Sequence, residues 1–498
     1  MNSFQRKSLY AALAGVGALG VTGAADAVNV NPNSLGQVLI YPYYTVNNDS
    51  RGNAFNSLIS VVNSTGSAKA VKVRFLEGKD SREVLDFNLF LSKFDVWTAA
   101  ITPSPVTTGG RVTTNDQSCT IPSNTLLQAG VDFVNFAYTG SADDGGGTGL
   151  ERTKEGYVEM IEMATFPTFT CTYQDITHSG GVPKDCAGIS DAQAGNDSTS
   201  ATGGIFGGMS LINVHSGGDY TSDAVALERF NFGPIYSASN SVRPNLEDAF
   251  PPTSVVFDAG IHGFKSDLNI YISNWPQPLY FLADTVSAVL MHDSVVNEFV
   301  LDTNTASGTD WVVTFPTKRF YLNAGTGPAL KVFQRNFNNA IGACDDVTIN
   351  IYNREETTTS QPGTFSPPPP TLTNSICWEA NIITFNNTNV LGSTNSANIN
   401  TTFQNGWLHL GFASPTAPAT YHTLGNSTNT VHIWATRACT NCLNGGQTIG
   451  ETKTYLGLPV VGFAVQSFTN GVLLVNGTQV LANYGGSFVQ KGTTTIIN

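Results

Sequence analysis

Carboxylates, closely spaced cysteines and tryptophans are the residues of this 498-residue chain whose type and spacing could do chemistry. Glu159 and Glu162 stand three apart in the run EGYVEMIEMA. A carboxylate pair cleaves a glycosidic bond only when both members reach that bond. In a strand, a three-residue interval sends side chains to opposite faces, so these two are not expected to act together. The inward one is expected to be buried and paired with an Arg or Lys. Cys439-Thr440-Asn441-Cys442 has the spacing of a dithiol redox pair, which needs its first cysteine at a helix N-terminus that stabilises the thiolate. Leu-Asn-Gly-Gly-Gln follows instead, a loop composition, and a structural disulfide is the better reading. No Gly-x-Ser-x-Gly elbow, His-Glu-x-x-His zinc site or Gly-x-x-x-x-Gly-Lys phosphate cradle occurs, so no catalytic residue is assigned and the chain is read as leaning away from enzymes.

Sugar recognition calls for flat aromatics beside Asn, Asp or Gln. Trp97, Trp275, Trp311, Trp378, Trp407 and Trp434 are available, and most fall inside strand patterns that predict burial. Trp275, in the turn-like Asn274-Trp275-Pro276-Gln277-Pro278, is the candidate for exposure, although packing is favoured there too. Calcium is the one cofactor that the oxygen-rich loops Asn47–Asn53, Ala142–Gly147 and Cys344–Asp346 would take, with ordinary solvated turns preferred for each.

The compartment follows from the N-terminus. Arg6 and Lys7, the apolar run Leu9–Val21 and Ala25-Asp26-Ala27 read as a signal peptide over Met1–Ala27, with the mature chain beginning near Val28. No later segment approaches the length of a membrane-spanning helix. Removal of Arg6, Lys7 and Asp26 leaves 22 basic and 36 acidic residues, a formal charge of −14 that repels nucleic acid and anionic lipid. All seven cysteines lie in the mature part, where an oxidising compartment makes them disulfide partners. Nearest-neighbour pairing predicts Cys171–Cys186, Cys344–Cys377 and Cys439–Cys442, leaving Cys119 over or competing for Cys171.

The elements that must position these residues are short strands. Gly36–Tyr44, Asn56–Asn63, Ala70–Leu76, Glu83–Leu91 and Asp95–Ile101 are β-branched or aromatic runs separated by Asn, Ser and Gly. Val71, Val73 and Phe75 alternate with Lys72 and Arg74, the signature of a strand with one wet face. Strands are also predicted around Gly110–Ile121, Gly156–Met163, Met209–Val214, Thr309–Phe315 and from Phe320. Ser222–Phe230 reads as one short helix, and Asp284–Leu301 mixes helical and strand signals. Gly180–Gly208 reads as a surface loop or linker. From Ile341 onward only 10 of 158 residues are charged while 46 are Asn or Thr, and Pro362–Pro370 reads as an exposed polyproline loop. The expectation is an all-β protein of two or more Ig-like β-sandwich domains with few short helices: 28–340 as an N-terminal region with long loops, and 341–498 as a Thr/Asn-rich sandwich.

The runs GQVLIYPYYT, AVKVRFLEGKDSREVLDFNLFLSKFDVWTA, EGYVEMIEMA and TDWVVTFPTKRFY resemble a family of exported, uncharacterised proteins of Gram-negative bacteria, over much of Gly36–Tyr321. The resemblance implies export and a secreted or surface location, and carries no activity. The expected function is a structural, assembly or adhesive role outside the inner membrane, secreted or on the outer surface, with the periplasm as a further location. The partners would be further copies of the chain or a surface polysaccharide. A carbohydrate-binding module is the first alternative and a hydrolase on a β scaffold the second.

Overall fold

The computed structural model describes residues 26–497 apart from 259–260, 263–264, 267, 276–281, 323–331, 334–335, 338–341, 360–373, 413–421, 436–447 and 477. The leader residues Arg6 to Val21, the proline run, Cys439 and Cys442 therefore lie outside the described residues.

Val38–Thr45, Glu155–Phe166, Ala68–Glu77 and Glu83–Leu91 form the middle of a seven-stranded sheet, with Val225–Glu228 and Asn29–Val30 beyond one side and Cys119–Ile121 on the other. A second, six-stranded sheet runs Gly218–Asp223, Ile205–Asn213, Asn56–Asn63, Val96–Pro103, Gly110–Thr113 and Val131–Asp132. Their facing sides interdigitate: Leu39, Tyr41, Val73, Phe75 and Met160 meet Ile59, Val61, Trp97, Ile101 and Leu211. Alternation along each strand supplies one apolar row per face, which is why these runs fold as a sandwich.

A third sheet runs Ser396–Ile399, Ala380–Phe385, Gly308–Thr314, Val461–Val475 and Thr478–Val489. Its strands Ala380–Phe385 and Gly308–Thr314 are buried on both faces. Val312, Ile382 and Val465 enter the core just described, while Trp311, Val313, Ile383 and Phe385 enter a second core. The seven residues of Gly308–Thr314 are accordingly all buried, which explains the unbroken run TDWVVT. The second core is closed by a fourth sheet, Thr358–Thr359, Thr348–Asn353, Asn405–Gly411, Ser294–Val300 and Lys491–Thr493. A fifth sheet, Thr253–Asp258, Leu268–Asn274, Thr423–Ala435, Thr448–Leu456 and Thr495–Ile497, adds Leu424 and Tyr455 to it. Strands on both sides of residue 340 thus share sheets: Gly308–Thr314 pairs with Ala380–Phe385 and Val461–Val475, and Ser294–Val300 with Asn405–Gly411.

The protein is all-β, as expected, and several local expectations are corrected. Ser222–Phe230 is no helix: Gly218–Asp223 pairs with Ile205–Asn213, and Val225–Glu228 with Val38–Ile40. Ala224 and Ala226 face the first core and Leu227 the opposite side of the first sheet, so cross-strand pairing overrides a weak helical spacing. Asp284–Leu301 is both things in succession, a helix at Asp284–Leu290 and then strands Met291–His292 and Ser294–Val300. Lys318–Phe320 is a helical turn where a strand start was expected. The wet face of Ala68–Glu77 is also not wet, because Lys72 and Arg74 are buried. Gly180–Gly208 is no free linker either, since it holds the helix Asp191–Asp197 and packs Ile189 and Ala194 under the first sheet.

Among the described residues the disulfides are Cys344–Cys377, as expected, and Cys119–Cys186 in place of Cys171–Cys186. Cys171 opens the helix Cys171–Ile176 at the surface and is unpaired and exposed. Cys119 sits in the edge strand beside Phe90, Ile176 and Ile189, where the turn Cys186–Gly188 docks. Neighbours in space here are not neighbours in sequence. Non-reducing peptide mapping is expected to recover the Cys119–Cys186 and Cys344–Cys377 linked peptides, with Cys171 labelled by maleimide in the folded protein; a Cys171–Cys186 peptide would contradict the fold.

Candidate functional site

A dense collection of ionisable groups lies at the turn Glu77–Arg82, which joins two central strands of the first sheet. Glu77 organises it by accepting the backbone N–H groups of Lys79 (2.8 Å), Asp80 (2.9 Å) and Arg82 (3.0 Å). The Arg152 guanidinium then bridges two carboxylates. Its Nε and Nη2 donate to Glu77 at 2.6 and 2.9 Å, and Nη1 and Nη2 donate to Asp144 at 2.7 and 2.6 Å. Tyr138 stacks 4.4 Å from the same guanidinium. Burial alone would raise the Asp144 carboxyl, but hydrogen bonds from Arg152 and Gly146 hold it below its ordinary value.

The far side of this turn meets the third sheet. Glu379 and Ala380 both donate backbone N–H groups to Gly78 O, at 3.1 and 2.8 Å. Lys79 lies 5.1 Å over the Trp378 ring. Ser81 donates to Glu379 and accepts from the Tyr157 hydroxyl at 2.7 Å. Glu155 adds a second junction, accepting from Tyr43 OH (2.7 Å), Ser393 Oγ (2.6 Å) and Thr394 N (2.9 Å). The arrangement is structural in its chemistry. Burial pushes Glu379 well above the usual range, and a protonated acid cannot take the proton that Ser81 would have to lose as a nucleophile. A cleft of about 360 Å³ beside the turn is lined by charges of both signs, Arg74, Arg82 and Arg319 with Asp80, Glu83 and Glu247.

Glu159 and Glu162 do face opposite sides of their strand, and both are buried rather than one. Glu159 accepts from Arg74 Nη1 and Glu162 from Lys69 Nζ, each at 2.6 Å. Glu162 also accepts the N–H groups of Thr202 and Gly203 at 3.0 and 2.8 Å. The left-handed backbone at Gly203 and Gly204 (φ +73° and +81°) turns the chain around that carboxylate. In the three calcium candidates the carboxylates are already engaged: Asp49 accepts from Arg51 and Asn53 N–H, Asp143 from Gly145 N–H, Asp144 from Gly146 N–H and Arg152, and Asp345 pairs with Lys318 at 2.8 Å and His422 at 3.2 Å. Among the described residues no group of three or more His, Cys, Asp or Glu converges on a metal-sized point. Ser92, His178 and Asp95 come together in a way no motif signalled, but both partners approach the same His178 Nδ1, at 3.0 and 3.6 Å. A nucleophile–base–carboxylate relay needs the two opposite ring nitrogens.

Trp97, Trp275 and Trp311 are fully buried and Trp378 nearly so, with Trp275 donating to Ser254 Oγ at 2.9 Å. Trp407 departs from the expectation and is half-exposed; the side chain of Trp434 lies outside the described residues.

A groove of about 640 Å³ runs across the second sheet. Leu58, Thr98, Ala100 and Ser210 line it with Met209, and Phe488 and Val489 of the third sheet stand opposite. Around it Val96 and Phe206 are also exposed, and Val489 is 80% so. Register places Phe206, Val62 and Val96 in one row and Ser210, Leu58 and Ala100 in another. Outward apolar residues on a strand read as core in a sequence, so nothing there marked this face. Compared with known proteins, the chain matches no family model and no curated protein.

Two outcomes follow. Arg152→Ala strands Glu77 and Asp144 in the interior and is expected to lower unfolding free energy by about 3–5 kcal/mol in urea titrations. The second is a pH dependence with a defined sign. Burial raises Asp80 from 3.8 to about 7 and Asp310 to about 6. The folded protein therefore holds protons that the unfolded chain has released, and stability falls as pH rises from about 4 towards 7. Asp345, held at about 2 against burial by Lys318 and His422, acts oppositely, its contribution being lost as pH falls towards 2. Asp310→Asn is expected to flatten the fall in urea midpoint between about pH 4 and 6; an unchanged slope would contradict the assignment.

Proposed function

We propose that this chain is an exported, non-enzymatic β-sandwich protein that works by association at the cell surface or in the medium, with the outer face of the second sheet as its contact surface. The observation that carries the reading is the exposed apolar array on that face: Leu58, Val96 and Phe206, with Phe488 and Val489 across the groove. Two exposed apolar clusters on one face, Phe206 with Val96 and Leu58 with Ala100, stand on either side of the Gly208–Ser60–Thr98 row; apolar surface of this kind is unfavourable in water and marks an interaction site. The partner we assign is a second copy of the chain. The first sheet ends in edge strands of two and three residues, which blunts pairing there. The second sheet ends on one side in the strand Gly218–Asp223, against which Thr478–Val489 of the third sheet packs, with Asn483 donating to Ser216 O, so association is assigned to the face of the sheet and not to strand addition.

The compartment is supported coarsely by two disulfides. No helix among the described residues is long and apolar enough to cross a membrane. Cleavage after Ala27 and release from the inner membrane belong to the proposal, as does the resemblance to exported proteins of Gram-negative bacteria. A saccharide-binding reading is favoured by a different observation, on the fourth sheet.

Sedimentation velocity of the mature protein is expected to show concentration-dependent association, with or without calcium, and Leu58→Arg/Val96→Arg is expected to abolish it. A wild-type protein that stays monomeric at high concentration, or a double variant that associates equally well, would remove the reading.

A further inference from the structure

The outward face of the fourth sheet carries an ordered row of aromatic and polar side chains. Register aligns Glu298, Trp407 and Tyr352 in one row across three strands, and Lys491, Val296, His409 and Asn350 in the next. Their neighbours Val295, Phe299, Ile349, Ile351, Leu408 and Leu410 point the other way, into the second core. Trp407 is 41% exposed, although tryptophan is among the residues most often covered. Tyr352 stacks on it with ring centroids 4.3 Å apart and planes 15° from parallel. Because Tyr352 covers one face of the indole, the other is turned towards the Glu298 column.

We propose that this face binds a pyranose unit of a neutral polysaccharide, with Trp407 as the stacking platform. The axial C–H groups of a pyranose carry slight positive charge and pack on the electron-rich face of an indole, while equatorial hydroxyls project to polar groups at its rim. Those groups are in place. Glu298, directly across from Trp407 in the neighbouring strand, is an acceptor on the side away from Tyr352, and Asn350 offers both a donor and an acceptor one row away. His409 Nδ1 is buried without a hydrogen-bond partner among the described residues. The Tyr352 stack fixes the indole in advance, which lowers the ordering cost of binding.

The electrostatics select a neutral ligand. Lys491 and Glu298 are the charged residues in these rows and offset each other, while the chain as a whole is strongly acidic. An anionic polymer would be repelled and a cationic one would find no acidic cluster here. The site lies on a different sheet from the proposed association face and does not rest on that reading.

Native affinity electrophoresis in gels containing laminarin, hydroxyethyl cellulose, dextran or galactomannan tests the proposal. The wild-type protein is expected to be retarded by at least one of them. Trp407→Ala is expected to weaken the apparent Kd for it by about tenfold or more, Trp407→Phe by less, and Glu298→Ala to weaken it with the platform intact. Unchanged near-ultraviolet circular dichroism and equal mobility in sugar-free gels serve as the folding control for each variant. The Leu58→Arg/Val96→Arg protein is expected to be retarded like the wild type, so failure of the association reading leaves this one standing. Absence of retardation in all four gels, or retardation of folded Trp407→Ala equal to wild type, would overturn the proposal. So would a Trp407→Ala variant that loses only self-association.

Discussion

Arg152, held between Glu77 and Asp144 and capped by Tyr138, is the interaction on which most of this structure depends. Without it Glu77 would lie in a low-dielectric site with backbone N–H donors in place of a cation, and Asp144 would be left to the more distant Arg82 at 3.5 Å. Paired, they give the turn a fixed shape. That shape presents Gly78 O, Ser81 and Lys79 to the strand that begins at Ala380. The first sheet and the third are thereby joined by directional polar contacts as well as by the apolar packing of Val312, Ile382 and Val465. Apolar packing alone tolerates sliding; hydrogen-bonded charge does not.

The same constraint accounts for the buried ion pairs elsewhere. A sheet covered on both sides has no wet face on which to place charge, so each charge must find a partner inside. Lys69 with Glu162, Arg74 with Glu159 and Glu83, and Lys318 with Asp345 are solutions to that problem. They add little net stability over apolar side chains of similar shape, but each is costly to break and each fits one register only. The outer faces of the second and fourth sheets carry exposed apolar and aromatic residues, among them Leu58, Val96, Phe206 and Trp407.

Much of the fold was legible in the sequence, and the misses share a cause. Asn56–Asn63 and Glu83–Leu91 were bounded correctly because alternation and turn residues are local signals. Lys72 and Arg74 were misjudged because alternation says which residues share a face, not whether a later segment covers it. The cover comes from chain about 165 residues on, where Ser239 O accepts from Lys72 Nζ. Cys119–Cys186 was missed for a similar reason, since sequence distance is a poor guide once strands have exchanged neighbours. Trp407 sits in the same strand pattern as its buried counterparts, and only its phase relative to Leu408 and Leu410 exposes it. The turn EGKDSR held the clearest unread signal: four charges in six residues between two apolar strands are costly unless something receives them.

Native-state hydrogen exchange tests most directly whether the first and third sheets are one cooperative unit. The amides of Glu155–Phe166 and Gly308–Thr314 are predicted to exchange with a common opening free energy, equal to that of global unfolding. Exchange of Gly308–Thr314 through a lower-energy opening, with Glu155–Phe166 still protected, would contradict the account.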